Sequence, residues 1–201
     1  MNKITKILIG SNNKGKFKEI ADLLPKGIKK NSPTQFSLKS PEETGNSFIE
    51  NSQIKANYFS EKTNMVTISD DSGLEVNCLN GKPGIFSARW AEEYGSFDNA
   101  MEIILKEVEK ANRNEKIKDY GAKFISCLTL KWPKGEKISE IGEIEGTITT
   151  KKGKNGFGYD PIFIPKGFNI TFAEMNYKEK LLIDHRFIAY KKLEKKIKNY
   201  F

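Results

Sequence analysis

Thr67-Ile68-Ser69-Asp70-Asp71-Ser72-Gly73-Leu74-Glu75-Val76 is the stretch of this 201-residue chain from which both fold and chemistry are most directly read. The run from Met65 to Ile68 reads as a buried strand, and an alternating apolar pattern resumes at Leu74 and Val76. Between them lie two carboxylates, a hydroxyl and a glycine. Adjacent residues of an extended chain point to opposite faces, so Asp70 and Asp71 are expected to hold different roles. One can reach into a cleft while the other ties down the chain. The residues suit an Asx-type turn closing a hairpin, with Gly73 supplying a positive φ. They also suit an oxygen-donor site for a hard cation such as Mg²⁺, which usually arrives with phosphates. Other stretches must decide between the two.

Toward the N-terminus, Ile4–Gly10 reads as an apolar strand and Ser11-Asn12-Asn13-Lys14-Gly15-Lys16 as the loop after it. The spacing predicts a helix from about Gly15 to Leu24, with Phe17, Ile20, Ala21 and Leu24 on one apolar face. Strand, small polar loop and helix aim backbone N–H groups and a positive helix end at an anion, and Lys14 and Lys16 add charge there. The glycine spacing of a Walker A loop is missing. Residues 25–46 read as irregular, broken by Pro25, Gly27, Pro33, Pro41 and Gly45, and carry the acidic pair Glu42-Glu43. Taken alone, that pair is a solvated turn. Ser47-Phe48-Ile49-Glu50 has a capping-box pattern and starts a helix to about Lys62. Phe48, Ile49, Ser52, Ala56 and Phe59 face inward, with Lys55 on the more polar side.

Downstream, Asn80-Gly81 and Pro83-Gly84 mark turns leading into Phe86-Ser87-Ala88-Arg89-Trp90. Asp98 can cap a helix reaching about Ala111, with Met101, Ile104, Leu105 and Val108 inward. Ala122–Lys131 and Lys137–Thr149 predict a hairpin over Pro133-Lys134-Gly135. In Gly153-Lys154-Asn155-Gly156-Phe157-Gly158-Tyr159-Asp160-Pro161, two glycines flank an aromatic ring, so backbone can approach a ligand while the ring offers a stacking face. Asp160 can accept hydrogen bonds from a base or hold the loop itself. Ile162–Ile164 is a short strand. Lys180, His185 and Arg186 lie near the start of a C-terminal helix with Phe187, Tyr190, Leu193 and Ile197 inward.

Composition narrows the classes. A net charge of +8 raises nucleic acid or anionic ligands as partners, yet only three of the 34 basic residues are arginine. No apolar run approaches the ~20 residues of a membrane span. The N-terminus has no signal-peptide cleavage pattern, which points to a cytoplasmic protein with no membrane partner. Cys78 and Cys127 read as buried thiols. With His185 the sole histidine, a zinc site is not expected, and no nucleophile elbow supports a Ser-His-Asp triad.

An anion-cradling loop, an acidic metal shell, a glycine–aromatic platform and late cations suit a nucleoside triphosphate with Mg²⁺. The sequence also resembles the inosine/xanthosine triphosphate pyrophosphatases, which remove non-standard purine nucleotides. The resemblance is carried, in the family's order, by Ser11–Lys16, Glu42–Asn51, Asp70–Leu74, Pro83–Arg89, Phe157–Pro161 and the His185-Arg186 pair. It implies an α/β fold with a long mixed central sheet flanked by helices, two lobes with a cleft between them, and one pyrophosphatase domain over residues 1–201. It implies that Ser11, Asn12, Asn13, Lys14, Gly15 and Lys16 hold the triphosphate, and that Glu42 and Asp71 bind Mg²⁺. Asp71 is also the implied proton acceptor, with Ser72 a substrate contact beside it. Phe157, Gly158, Tyr159 and Asp160 would form the base platform, completed by Lys180, His185 and Arg186. The family also implies a homodimer, with no stable nucleic-acid partner. Two departures stand out: Asn12 where glycine is common, and Asp184 where serine usually precedes the histidine. Two competing readings are a nucleic-acid-binding protein using its basic surface, and a phosphatase of ordinary nucleotides, dUTP or dTTP.

Overall fold

In a computed structural model, residues 3–201 are described. The chain runs β1 (Lys6–Ile9), α1 (Lys14–Leu23), β2 (Lys29–Asn31), α2 (Phe48–Thr63), β3 (Thr67–Val76), α3 (Ser87–Glu93), α4 (Phe97–Asn112), β4 (Gly121–Lys131), β5 (Lys137–Ile148), β6 (Phe163–Pro165), α5 (Tyr177–Leu181) and α6 (His185–Ile197). The strands form one six-stranded sheet in the order β2-β1-β3-β4-β5-β6. It is mixed: β1 lies parallel to β2 and β3, whereas β5 and β6 are antiparallel. This is the expected α/β class.

Two compact units divide the chain, each built from separated segments. Of the described residues, 3–71, 126–142 and 186–201 form one, with a core of Ile7, Ile9, Ile20, Leu24, Ile68, Leu128, Leu130 and Leu193. Residues 72–125 and 143–185 form the other, with a core of Leu74, Val76, Met101, Ile104, Phe124, Ile162, Phe163 and Phe172. Among the described residues, no helix is long and apolar enough to cross a membrane.

Three local expectations are corrected. Lys29-Lys30-Asn31, read as irregular, is an edge strand whose Ile7↔Lys30 and Leu8↔Asn31 register supplies the regularity its side chains do not announce. The cap of α4 is Ser96, whose side chain accepts from the Asn99 N–H, rather than Asp98. Most consequentially, no turn interrupts residues 70–73: β3 runs unbroken from Thr67 to Val76. Gly73 is required not for a positive φ but for close approach, since a Cβ there would sit 2.2 Å from the Gly84 carbonyl oxygen and 2.6 Å from Ser87 Oγ. The Ser87 hydroxyl donates to that same carbonyl at 2.7 Å and accepts from the Leu74 N–H at 2.9 Å. The Pro83–Arg89 motif therefore fastens the far half of β3.

Candidate functional site

In the first unit, the loop after β1 is built to present a helix N-terminus. Asn13 caps α1, its side-chain oxygen accepting from the Lys16 N–H at 3.0 Å, and its own N–H donates to Ser11 Oγ at 3.2 Å. The Asn12 amide ties the loop to the Leu38 carbonyl and Ser40 Oγ at 3.4 and 3.3 Å. Asn12, Asn13 and Lys14 are exposed, while Ser11 is buried. The first N–H groups of a helix lie outside its own ladder, so a phosphate at this loop meets donors and positive dipole together.

Asp70, wholly buried in the middle of β3, is the anchor of this region. Its Oδ2 lies 3.0 Å from Lys16 Nζ; its Oδ1 accepts from the Ser126 hydroxyl at 2.6 Å and from Arg186 Nε at 3.3 Å. Arg186 in turn pairs with Glu19 of α1, both buried. Burial alone would raise the Asp70 carboxyl. The Arg186 guanidinium and the Lys16 ammonium, helped by Ser126, overcome it and hold the group well below the usual carboxylate range.

Asp71, on the opposite face of the strand, meets a different partner. Lys55 of α2 is 5% exposed, and its ammonium donates to Asp71 Oδ1 at 2.7 Å and to Glu43. The segment carrying Glu43 is held to the start of α2: the Gly45 N–H donates to Asn51 Oδ1 and the Asn46 N–H to Glu50 Oε2, at 2.8 and 2.7 Å. Burial pushes the Asp71 carboxyl up; Lys55 and Lys16 pull it down, Glu43 pushes it up again, and the net direction is upward. Lys55 is raised despite its burial, because Asp71 and Glu43 favour the charged form. The second oxygen of Asp71 is buried without a hydrogen-bond partner. A buried lone carboxylate oxygen, beside a second carboxylate and an ammonium, is hard-donor chemistry that fits a divalent cation. Among the described residues, no three His, Cys, Asp or Glu side chains gather into a metal-binding group, so the protein offers two carboxylates here.

In the second unit, Asp160 holds the glycine-rich loop. Its Oδ2 accepts from the Phe157 N–H at 2.9 Å and pairs with Lys180 Nζ at 2.8 Å. Gly156 has φ +74°, and a Cβ there would lie 2.1 Å from that oxygen, so only glycine fits. Lys180 Nζ sits 4.8 Å from the centre of the half-buried Phe157 ring, close enough for a cation–π contact. Tyr159 is core instead, with its hydroxyl donating to the Ser87 carbonyl at 2.8 Å and its ring edge-on to Phe97. His185 is buried and stacks on Phe124 with ring centres 4.9 Å apart.

The structure thus gathers Lys16, Asp71 and the Ser11–Lys16 loop in one unit, and Phe157, Gly158, Asp160 and Lys180 in the other, with Ser72 half-buried in β3. Arg186, expected to face the base, directs its Nε and Nη1 at Asp70 and Glu19. Glu42, expected as the metal ligand, is exposed; its neighbour Glu43 is the carboxylate joined through Lys55 to Asp71. Lys55, placed on the polar side from sequence, is buried. Its signal was available, since 48, 52, 55/56 and 59 fall on one helical face.

Known proteins resemble the chain throughout. A family model described as Ham1p_like: Ham1 family matches residues 7–196. A dITP/XTP pyrophosphatase of Agrobacterium fabrum is 42% identical, over 92% of either chain. One from Haemophilus influenzae is also 42% identical, over 96% of this chain and 98% of its own. The fold is similar to a HAM1 protein from Coxiella burnetii, with TM-score 0.85 and 34% identity over 96% of this chain and 98% of that one. It is likewise similar to the Staphylococcus aureus Ham1 protein, with TM-score 0.82 and 33% identity over 98% and 100%.

Proposed function

Because the chain belongs to the Ham1 family, we propose that it hydrolyses non-standard purine nucleoside triphosphates (ITP, dITP and XTP) between the α- and β-phosphates, yielding the monophosphate and pyrophosphate. The observation that carries the reading is the unsatisfied, buried Asp71 oxygen beside Glu43 and Lys55. Such an oxygen is costly to bury, and a ligand that pairs with it relieves that cost.

In this reading Ser11–Lys16 receive the triphosphate on backbone N–H groups and the α1 N-terminus, with Lys14 and Lys16 adding charge. Asp70, bonded to Lys16 on one side and Arg186 on the other, fixes where the Lys16 ammonium stands. Asp71 takes the proton of the attacking water; its raised carboxyl is the better base for that step. Glu43 and Asp71 would hold Mg²⁺, which when bound would neutralise phosphate charge and acidify a coordinated water. Phe157 stacks the base, Gly158 admits it closely, and the Asp160–Lys180 pair keeps the ring presented. Tyr159 supports that loop from the core, Ser72 contacts substrate beside Asp71, and His185 donates toward the 6-oxo group. Adenine's amino group would face a second donor there, a mismatch of about 1–3 kcal/mol.

Residues 1–201 act as a single pyrophosphatase domain in this reading, working as a cytoplasmic homodimer, and light scattering of the purified chain tests the dimer. The function is tested by a turnover panel over ITP, XTP, dITP and the ordinary triphosphates with and without Mg²⁺, resolving pyrophosphate from orthophosphate. Metal-dependent pyrophosphate release that favours the 6-oxo substrates over ATP is expected. Orthophosphate as product, or preference for dUTP, overturns the proposal.

A further inference from the structure

Lys55 belongs to neither the phosphate loop nor the carboxylate pair, yet its ammonium occupies the position between those carboxylates. It comes from the third turn of α2, is 5% exposed, and bonds Asp71 Oδ1 at 2.7 Å and Glu43 at once. Two carboxylates that converge on one point in a poorly solvated region repel each other unless a cation stands between them. In this structure the cation between them is Lys55. We infer that Lys55 is an internal stand-in for the divalent ion, and that metal binding is an exchange in which the ammonium gives up at least one carboxylate.

The inference rests on the proposed reading of this site as a metal-dependent one. Three features carry it further. The Asp71 Oδ2 atom, buried without a partner, shows that one ammonium does not exhaust the oxygen donors present. The Glu43 side chain is 26% exposed against 6% for that of Lys55, so an ion can approach from the Glu43 side and meet the ammonium from solvent. The Lys55 charge sits on a flexible four-carbon stem, which lets it swing aside without moving α2. Metal affinity is then set by competition with a tethered cation as much as by the ligands.

The test uses the full chain, stripped of metal and without nucleotide, with Mn²⁺ as probe. Free Mn²⁺ is read by electron paramagnetic resonance during titration of wild type, Lys55→Met and Lys55→Arg. Removing a positive charge in contact with both carboxylates is expected to tighten Mn²⁺ binding by about tenfold or more in Lys55→Met. Lys55→Arg keeps the charge and is expected to show no gain. Metal-free Lys55→Met should melt below wild type and recover more on adding Mn²⁺. Equal or weaker binding by folded Lys55→Met overturns the inference. A readout on the unmodified protein stands even if that variant misfolds: acetylation by acetic anhydride, mapped by mass spectrometry, should rise several-fold at Lys55 when Mn²⁺ saturates the protein. Unchanged or reduced labelling at Lys55 also overturns it. Wild-type turnover is measured separately. No pyrophosphate with the exchange intact removes the enzymatic reading alone; full turnover without the exchange removes only the stand-in.

Discussion

Replacing Arg186 by methionine separates two roles that the sequence alone runs together, reader of the base or internal strut. The guanidinium is 1% exposed, with Nε 3.3 Å from Asp70 and Nη1 paired with Glu19, which is 2% exposed. Methionine fills most of the volume but leaves two buried carboxylates short of their cation. Breaking a buried pair from one side costs about 3–5 kcal/mol. For a chain of this size each kcal/mol moves the midpoint by about 2–4 °C, so Arg186→Met should lower Tm by about 6–20 °C at pH 7. The pH dependence carries a sign. Because Asp70 is held below its unfolded value, it contributes stability that is present above about pH 4 and lost as pH falls toward the folded value. Without Arg186 that depression shrinks, so the gap between the two proteins should narrow as pH drops below about 4. Circular dichroism melts from pH 3 to 8 measure both quantities. A Tm within about 2 °C of wild type, with KM raised only for 6-oxo purine substrates, would refute the strut and return Arg186 to the base.

Three further outcomes follow from the same geometry. Glu43→Gln should lower Mg²⁺-dependent pyrophosphate release by about a hundredfold or more, and Glu42→Gln by less than threefold, since Glu43 pairs with the same Lys55 that bonds Asp71; steady-state assays of the two variants decide it, and the reverse order would make Glu42 the ligand. Phe157→Ala should raise KM for every purine substrate by about 5- to 150-fold, the range of a lost base–aromatic stack, while kcat changes less; an unchanged KM removes the platform. Burial pushes the Cys127 thiol up to about 11, leaving about one part in a thousand as thiolate at pH 8. Iodoacetamide should therefore label half-buried Cys78 first and Cys127 only after unfolding, and equal native rates by mass spectrometry would contradict that.

What could be read from sequence, and what could not, divides along one physical line. The alternation rule separated Asp70 from Asp71, and they do serve different partners, Arg186 and Lys16 for one and Lys55 for the other. Apolar periodicity found α1, α2, α4 and the β4–β5 pair, because burial of hydrophobic faces is a local pattern. The turn, one of the two local readings of Gly73, fails because the glycine's reason is the Gly84 carbonyl and Ser87, which approach from elsewhere in the chain. Glu42 and Glu43 sit in a segment without a repeat, so nothing local phases one inward; the hydrogen bonds of Gly45 and Asn46 to α2 do that. Lys55 shows the rule most clearly. Read from sequence onto the more polar side of α2, it is buried, because carboxylates 12 residues before it and 16 after it supply the charge a buried ammonium requires. A buried charge is legible only together with its partners. Where those lie far along the chain, a lysine on an apolar face predicts that acidic residues from elsewhere converge on it, and such convergence is what a cation site consists of.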